Sequence, residues 1–168
     1  TFNTLFREKK AGSIGQAIYG VDVRIFDGDD REVSPGEIGE VVIRGPNVMR
    51  GYHRRPEATA EAMRNGWFHT GDMGRMDDDR YFYIVDRKKD MVIRGGFNVY
   101  PREVEEVLYA HEAIYEAAVV GAPSEQYGEE VKAYIALQEG AEASPEGIIA
   151  WCKERLAAHK YPRVIEIL

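Results

Sequence analysis

The sequence predicts an α+β fold, and three observations lead to that prediction. The first half of the 168-residue chain alternates short apolar runs with clusters of Gly, Pro and Asp, a pattern typical of strands and turns. The second half places helix-like segments between strand-like ones. A charged run, Asp-Arg-Lys-Lys-Asp at residues 86–90, separates the two halves. We therefore expect a β-rich part at residues 1–85, a hinge at 86–89 and a small α+β unit at 90–168.

The first half contains three predicted strands and a short helix. Residues 21–26 alternate partly at period two and end in the turn cluster Asp-Gly-Asp-Asp. Residues 39–46 carry an apolar run between two glycines, which predicts a second strand. Residues 56–63 begin with Pro, which favours the first helical turn, and predict a helix. Residues 81–86 form the strand that leads into the hinge.

Two helices are predicted in the second half. Pro101 opens the first, and Glu103 lies near its positive N-terminal end. Ser144 caps the second, which starts at Pro145. The inward apolar positions of the two helices are Val104, Val107 and Leu108, and then Ile148, Ile149, Trp151, Cys152 and Leu156.

The strands of the second half surround these helices. An apolar segment directly after the charged run ends at a pair of glycines, Gly95 and Gly96. Residues 117–121 form a short apolar run and predict a short buried strand. Residues 131–137 alternate in part, and residues 164–168 have the pattern of a last strand. The expected order is strands, helix, two strands, helix, strand.

Composition excludes several classes of protein. The formal net charge is −7 and the pI about 5.2, which argues against a general nucleic-acid binder because such proteins carry a basic face. The single cysteine, Cys152, forms no internal disulfide and is compatible with the cytoplasm. Neither a signal peptide nor an apolar run of the roughly 20 residues that a membrane span needs is found. Because the chain does not begin with Met, we expect it to be a piece of a longer protein.

Two motifs in the first half have both a structural and a functional interpretation. Residues 36–45 and 49–52 together consist of a Gly-Glu strand and a closing Gly-Tyr, which alone indicate only turns around a strand. Residues 66–74 place Thr70, Gly71 and Asp72 after two aromatic residues, and we expect a tight loop that presents the Asp72 carboxylate. An ionised carboxylate accepts hydrogen bonds from a ribose diol. An isolated Thr-Gly-Asp is more often a local turn.

The charged run and the glycine pair are equally ambiguous when each is considered alone. The charged run is typical of a solvated turn, although Arg87 is also suited to bind a phosphate or ribose because its donor fork is rigid and permanently charged. Gly95 and Gly96 usually mark a hairpin turn, and they also permit close approach of another molecule. Their occurrence together, after the Thr-Gly-Asp motif, favours the functional interpretation.

Taken together, the motifs resemble those of the adenylate-forming acyl-CoA synthetases, and the resemblance covers nearly all of the chain. It implies that Asp72 binds the ribose hydroxyls, that Arg87 contacts the ribose or phosphate, and that Ile84 belongs to the nucleotide site. It further implies that Lys89 is the pivot between two catalytic conformations. His69 matches a common family residue, but we assign it no chemistry, and we expect no metal ligand in this chain.

The glycine loop is the second part of the resemblance. Residues 94–105 resemble the family's loop that enters the active site during thioester formation, which implies that Gly95, Gly96 and Asn98 line the route of the thiol. Asn-Val-Tyr-Pro at 98–101, with residues 120–124 and 127–129, is similar to the fatty-acyl and aryl CoA ligase branch.

The resemblance implies an AMP-forming acid–thiol ligase that uses ATP, Mg²⁺ and CoA and activates a carboxylic acid, expected to be a fatty acid. The chain corresponds to the end of the large AMP-binding domain, the hinge and most of the small C-terminal domain. The phosphate loop and the Mg²⁺-linked residues are expected upstream of Thr1, and the terminal lysine motif after Leu168. Lys160 does not replace that lysine. We therefore expect the 168-residue chain alone to be inactive.

Two alternatives remain open at this point. The chain is compatible with an adenylation domain that loads an amino or aryl acid onto a carrier protein. It is also compatible with a non-catalytic domain that only binds a nucleotide or a partner. Neither the acyl group nor the oligomeric state is readable from the residues.

Overall fold

The computed structural model describes residues 1–3 and 8–168. It separates into two compact units, Thr1–Lys88 and Lys89–Leu168, which we call unit 1 and unit 2. The division falls within the hinge expected at residues 86–89. The mixture of strands and helices confirms the predicted α+β class.

Among its described residues, unit 1 contains an antiparallel sheet of five strands and a short helix. The elements are β1 (Asp22–Phe26), β2 (Gly39–Arg44), α1 (Pro56–Ala62), β3 (Met63–Arg64), β4 (Trp67–Met76) and β5 (Phe82–Arg87). The strand order is β1-β2-β4-β3, and β5 pairs with β4. The strands and the helix predicted for this half are confirmed.

The core of unit 1 is small and apolar. Alternate residues of β1 point inward, as the period of a strand requires, so that Val23 and Ile25 are buried. They pack with Val21, Val41 and Phe82. The Asp27 carboxylate stabilises the turn after β1 because it accepts the backbone N–H groups of Asp29 and Arg31, each at 2.9 Å.

The tight loop expected at Thr70–Asp72 is a wrong prediction. These residues lie inside β4, which is ten residues long and pairs with β2 on one side and β5 on the other. Register shifts between Glu40 and Val42 and between Met73 and Gly74 make this part of the strand irregular. Sheet partners on both sides therefore turn a turn-forming sequence into a bulged strand.

Unit 2, all of which is described, combines strands with two helices. The elements are β6 (Val92–Arg94), β7 (Phe97–Val99), α2 (Pro101–Tyr109), β8 (Ile114–Ser124), β9 (Gly128–Leu137), α3 (Pro145–Arg155) and β10 (Val164–Ile167). The order is β10-β9-β6-β7, with β8 also on β9. β10 runs parallel to β9, and the other pairs are antiparallel.

Both helices of unit 2 begin as predicted. Pro101 is the first residue of α2, and Val104 and Leu108 are completely buried. The Ser144 hydroxyl caps α3 because it accepts the Gly147 N–H at 3.1 Å. On α3, the most deeply buried side chains are those of Ile148 and Cys152. The core of unit 2 lies between these helices and the buried residues of β6 to β9.

The strand predicted at residues 117–121 is longer in the structure, and it is buried on one face only. β8 extends over eleven residues, and Ala117 and Val119 are buried whereas Ala118 and Val120 are exposed. An antiparallel sheet covered on one face only has this alternation. Similarly, β9 begins at Gly128, three residues before the predicted start. None of the helices in the described part of the chain has the length and apolarity needed to cross a membrane.

Candidate functional site

Asp72 and Arg87 meet in unit 1. They are directly opposite each other on β4 and β5, and Arg87 Nε lies 2.8 Å from Asp72 Oδ1. Both side chains are accessible to solvent, Arg87 more than Asp72. Ile84 lies on the same strand as Arg87, opposite Gly74, and packs partly against the core. Two of the three predicted nucleotide-binding residues therefore form a charged pair at the surface, and the third supports the strand below them.

The backbone around Asp72 is held by short hydrogen bonds. The Thr70 hydroxyl donates to the Val41 carbonyl at 2.8 Å and accepts the Asp72 N–H at 3.1 Å. Gly71 has a φ of +75°, a conformation that glycine adopts without strain. Its N–H donates to Glu40 Oε1 at 3.1 Å. The position of the Asp72 carboxylate thus depends on the two residues before it.

Glu40 is a buried carboxylate beside this bulge, and its role was not predicted from the sequence. Its Oε2 lies 2.9 Å from Lys88 Nζ and 3.1 Å from His69 Nδ1. Burial raises the pKa of the Glu40 carboxyl, but the hydrogen bonds from Lys88, His69 and Gly71 and the charge of Lys88 outweigh it, so that the pKa lies below its usual value. An acidic residue inside the otherwise apolar run of β2 was the available signal for such a centre.

His69 belongs to the same network. Besides Glu40, its Nδ1 lies 3.0 Å from the Arg64 guanidinium, which in turn contacts Asp30 at 3.1 Å. The His69 ring also lies edge-on to Phe26, with the ring centroids 6.5 Å apart. These contacts place His69 between charged groups and an aromatic ring in the interior of unit 1.

Lys88 and Lys89 occupy the junction of the two units. Residues 88–90 form a turn directly after β5. The Lys88 N–H donates to the Gly71 carbonyl at 2.8 Å, so that Lys88 continues the pairing of β5 with β4. Lys89, the predicted pivot, is the first residue of unit 2 and is exposed.

Gly95, Gly96 and Asn98 lie together on a hairpin of unit 2. The two glycines connect β6 to β7, with φ values of +56° and +85°. Positive φ at both central residues is what a two-residue type I′ hairpin turn requires, which explains the glycine pair. Asn98 is opposite Ile93, and both residues are exposed. The three predicted residues of the thiol route therefore lie on one exposed hairpin.

Arg94 anchors this hairpin to β9. Its guanidinium forms two contacts with the Glu130 carboxylate, at 2.5 and 3.0 Å, and lies 4.1 Å from the centre of the Tyr127 ring. The Gly95 N–H donates to the Tyr127 carbonyl at 2.9 Å. A bidentate pair of this kind is specific in direction as well as favourable in energy. It holds the glycine turn by a residue that is itself almost completely buried.

Comparison with known proteins assigns the chain to a family. A profile described as AMP-binding enzyme matches residues 1–53, and a profile of the AMP-binding enzyme C-terminal domain matches residues 103–168. The chain belongs to the AMP-binding enzyme family. Among its relatives is the long-chain-fatty-acid–CoA ligase of Bacillus subtilis, which is 48% identical over 98% of the chain.

Solved structures also resemble the chain closely. ATP-bound MatB from Rhodopseudomonas palustris is 37% identical over 99% of the chain, with a TM-score of 0.92. The o-succinylbenzoate CoA synthetase MenE from Bacillus subtilis, in complex with the acyl-adenylate intermediate OSB-AMP, is 39% identical over 95% of the chain, with a TM-score of 0.84. The chain spans only 30 to 33% of the length of these three relatives.

Proposed function

We propose that this chain is part of an AMP-forming acyl-CoA ligase. In the first half-reaction a carboxylate attacks the α-phosphorus of ATP and forms an acyl-adenylate with release of pyrophosphate. In the second, the thiol of CoA attacks the acyl carbon and AMP leaves. The observation that carries the proposal is the pair of Asp72 and Arg87, placed at 2.8 Å on adjacent strands of a chain that is 48% identical to a fatty-acid–CoA ligase.

The residues of unit 1 suit the binding of the nucleotide. The Asp72 carboxylate accepts hydrogen bonds and fits the 2′- and 3′-hydroxyls of a ribose. Arg87, next to it, supplies a permanent positive charge for the ribose or a phosphate oxygen. Ile84 supports this end of β5 from the core. The contribution of these groups is to position the nucleotide, which lowers the barrier by removing unproductive orientations.

Lys89 and the hairpin of unit 2 serve the second half-reaction in this proposal. Lys89 is the pivot of the domain movement, since such movements use a few loop residues that change φ and ψ. Gly95 and Gly96 have no side chains beyond hydrogen and leave room for the pantetheine thiol. Asn98, on β7 of the same hairpin, offers an amide for a hydrogen bond along that route.

The substrate that supplies the acyl group is a carboxylic acid, and a long-chain fatty acid is the first choice because the Bacillus subtilis relative is named for that substrate. The o-succinylbenzoate CoA synthetase makes an aromatic acid the second choice. Mg²⁺ would accompany ATP and neutralise its phosphates, with its ligands outside this chain. We further propose that the protein is located in the reducing cytoplasm, since Cys152 is a buried free thiol.

Asp72→Ala tests the proposal in the longer protein that contains this chain. Hydrogen bonds to charged groups contribute about 1.5–3 kcal/mol, so we expect kcat/KM for ATP to fall roughly tenfold to a hundredfold. Asp78→Ala is the matched control, because Asp78 is an exposed carboxylate in the turn after β4. ATP–pyrophosphate exchange with palmitate and with an aryl acid measures the first half-reaction, and CoA-thioester formation measures the second.

Each outcome of this experiment has a distinct meaning. Unchanged kinetics in Asp72→Ala would reduce the Thr-Gly-Asp motif to a local structural element. Exchange without thioester formation from CoA would favour a carrier-protein acceptor, and nucleotide binding without exchange would favour a non-catalytic domain. The 168-residue chain alone should show neither half-reaction, and thioester synthesis by it would refute the inferred dependence on further segments.

A further inference from the structure

Lys88 is bound to unit 1 at two points. Its backbone N–H donates to the Gly71 carbonyl, and its side chain reaches β2, where Nζ lies 2.9 Å from Glu40 Oε2. Forty-eight residues separate Lys88 from Glu40 in the sequence, so this contact depends entirely on the fold. Lys88 is also the last residue of unit 1. The side-chain contact therefore lies immediately before the proposed pivot.

The Glu40 carboxylate is a strong attachment point because it is almost completely buried. A buried carboxylate is stable only if charged or polar groups satisfy it. Here the partners are the Lys88 ammonium, the His69 imidazole and the Gly71 N–H, while the Arg64 guanidinium lies 3.9 Å away. Replacing Lys88 by an apolar residue removes the flexible partner and leaves the other groups in place.

The Glu40 carboxylate thus binds both Gly71 and Lys88, which are joined by a backbone hydrogen bond. Oε1 of Glu40 accepts a hydrogen bond from the N–H of Gly71, the residue before the proposed ribose ligand Asp72. Oε2 accepts a hydrogen bond from the ammonium group of Lys88, the residue before Lys89. Any rotation that began before Lys88 would break the contact with Oε2 and disturb Arg87, which pairs with Asp72. A rotation that begins at Lys89 leaves all of these contacts intact.

We propose that Glu40 and Lys88 form a clasp that keeps unit 1 rigid up to Lys88 and thereby confines the domain rotation to Lys89. Glu40 and Lys88 are positioning residues, since neither contacts the reacting atoms. The proposal rests on the proposed two-step ligase function. It predicts that loss of the clasp impairs the half-reaction that needs the rotation more than the half-reaction that does not.

Lys88→Met in the longer protein tests the clasp, because Met keeps most of the length of the apolar stem and removes the charge. We expect thioester formation from pre-formed acyl-adenylate to fall about tenfold, while ATP–pyrophosphate exchange changes by less than about threefold. Lys88→Arg, which retains the positive charge, should recover most of the loss. Lys153→Met, an exposed lysine on α3, is the matched control and should match the wild type.

Hydrogen exchange in the 168-residue chain gives a readout that does not depend on activity. In Lys88→Met, the amides of Gly71 and Lys88 should exchange about tenfold faster, whereas the amide of Ala133 in unit 2 should be unchanged. The double variant Glu40→Gln/Lys88→Met leaves no buried charge unpaired and replaces Lys88→Met if that variant does not fold.

The possible failures are distinguishable. If the wild type shows no ATP–pyrophosphate exchange with any carboxylic acid, the proposed function is overturned. The hydrogen-exchange rates of Gly71 and Lys88 then remain as the test of the clasp. An active wild type with equal losses in both half-reactions would make the contact a folding interaction. Unchanged rates together with unchanged amide exchange at Lys88 would overturn the clasp itself.

Discussion

The proposed ribose site of unit 1 is held by charged side chains, whereas the glycine turn of unit 2 is attached to an apolar core. In unit 1, the buried Glu40 connects β2 with the bulge of β4 and with Lys88, and the apolar core is small. In unit 2, Val104 and Leu108 of α2 are completely buried against the sheet. The exposed turn is supported by the ion pair of Arg94 with Glu130, in which Arg94 is almost completely buried and Glu130 is partly exposed.

This difference predicts which substitutions and conditions should destabilise each unit. A buried carboxylate depends on its partners, so unit 1 should respond to changes of charge and of pH. An apolar core depends on how completely it is filled, so unit 2 should respond to the loss of methyl groups. The junction between them should respond to changes in backbone freedom.

Lys89→Pro acts at the junction and should have the largest effect. Proline fixes φ near −65° and restricts the preceding residue, here Lys88. We expect ATP–pyrophosphate exchange by the longer protein to survive, and thioester formation from pre-formed acyl-adenylate to fall by roughly a hundredfold or more. Lys89→Ala, which keeps the backbone free, is the control. Equal losses in both half-reactions would mark Lys89 as a folding position, and no loss would move the pivot to Asp86 or Asp90.

Leu108→Ala tests the apolar side of the comparison. Leu108 has no exposed surface, and replacing a buried Leu by Ala costs about 2–5 kcal/mol because it leaves a cavity. In denaturant unfolding of the 168-residue chain, the free energy of unfolding of unit 2 should fall by this amount while that of unit 1 is unchanged. Val41→Ala provides the reciprocal variant in the core of unit 1. A single transition that moves as a whole in both variants would contradict the separation of the two cores.

Asp77→Asn tests the ionic side and should have the smallest effect. Burial raises the pKa of Asp77, but Lys10, the Tyr81 N–H and the Tyr83 hydroxyl outweigh it and hold the pKa at about 2. This value lies below that of an unfolded aspartate, about 3.9. The stabilisation by Asp77 is therefore fully present above about pH 4 and is lost as the pH falls toward 2.

Thermal unfolding at several pH values measures this contribution. At neutral pH, Asp77→Asn should lower the Tm of unit 1 by a few degrees, since the pair with Lys10 is only partly shielded from solvent. The difference from the wild type should shrink between about pH 4 and 2. Asp78→Asn, at the exposed neighbouring position, should leave the Tm unchanged at every pH. A difference for Asp77→Asn that is constant with pH would show that the ion pair is not its cause.

Much of the fold was predictable because its signals are local. The alternation in β1, the proline at the start of α1 and α2, and the serine before α3 each act within a few residues of their own position. The glycine pair between β6 and β7 is of the same kind, because its conformation is decided by the turn itself. Motif resemblance then named Asp72 and Arg87, which the structure brings together on adjacent strands.

Which of these segments contact one another depends on the tertiary structure. Periodicity and turn chemistry, which are properties of neighbouring residues, predicted the α+β class and the order of the elements, and the resemblance to a family supplied the candidate residues. The sequence by itself did not reveal that Thr70 to Asp72 lie inside a strand, nor that Glu40 binds Lys88. The contact between Arg94 and Glu130 spans 36 residues in the same way. Such contacts depend on the register of distant strands, and that register is set by the packing of the whole sheet.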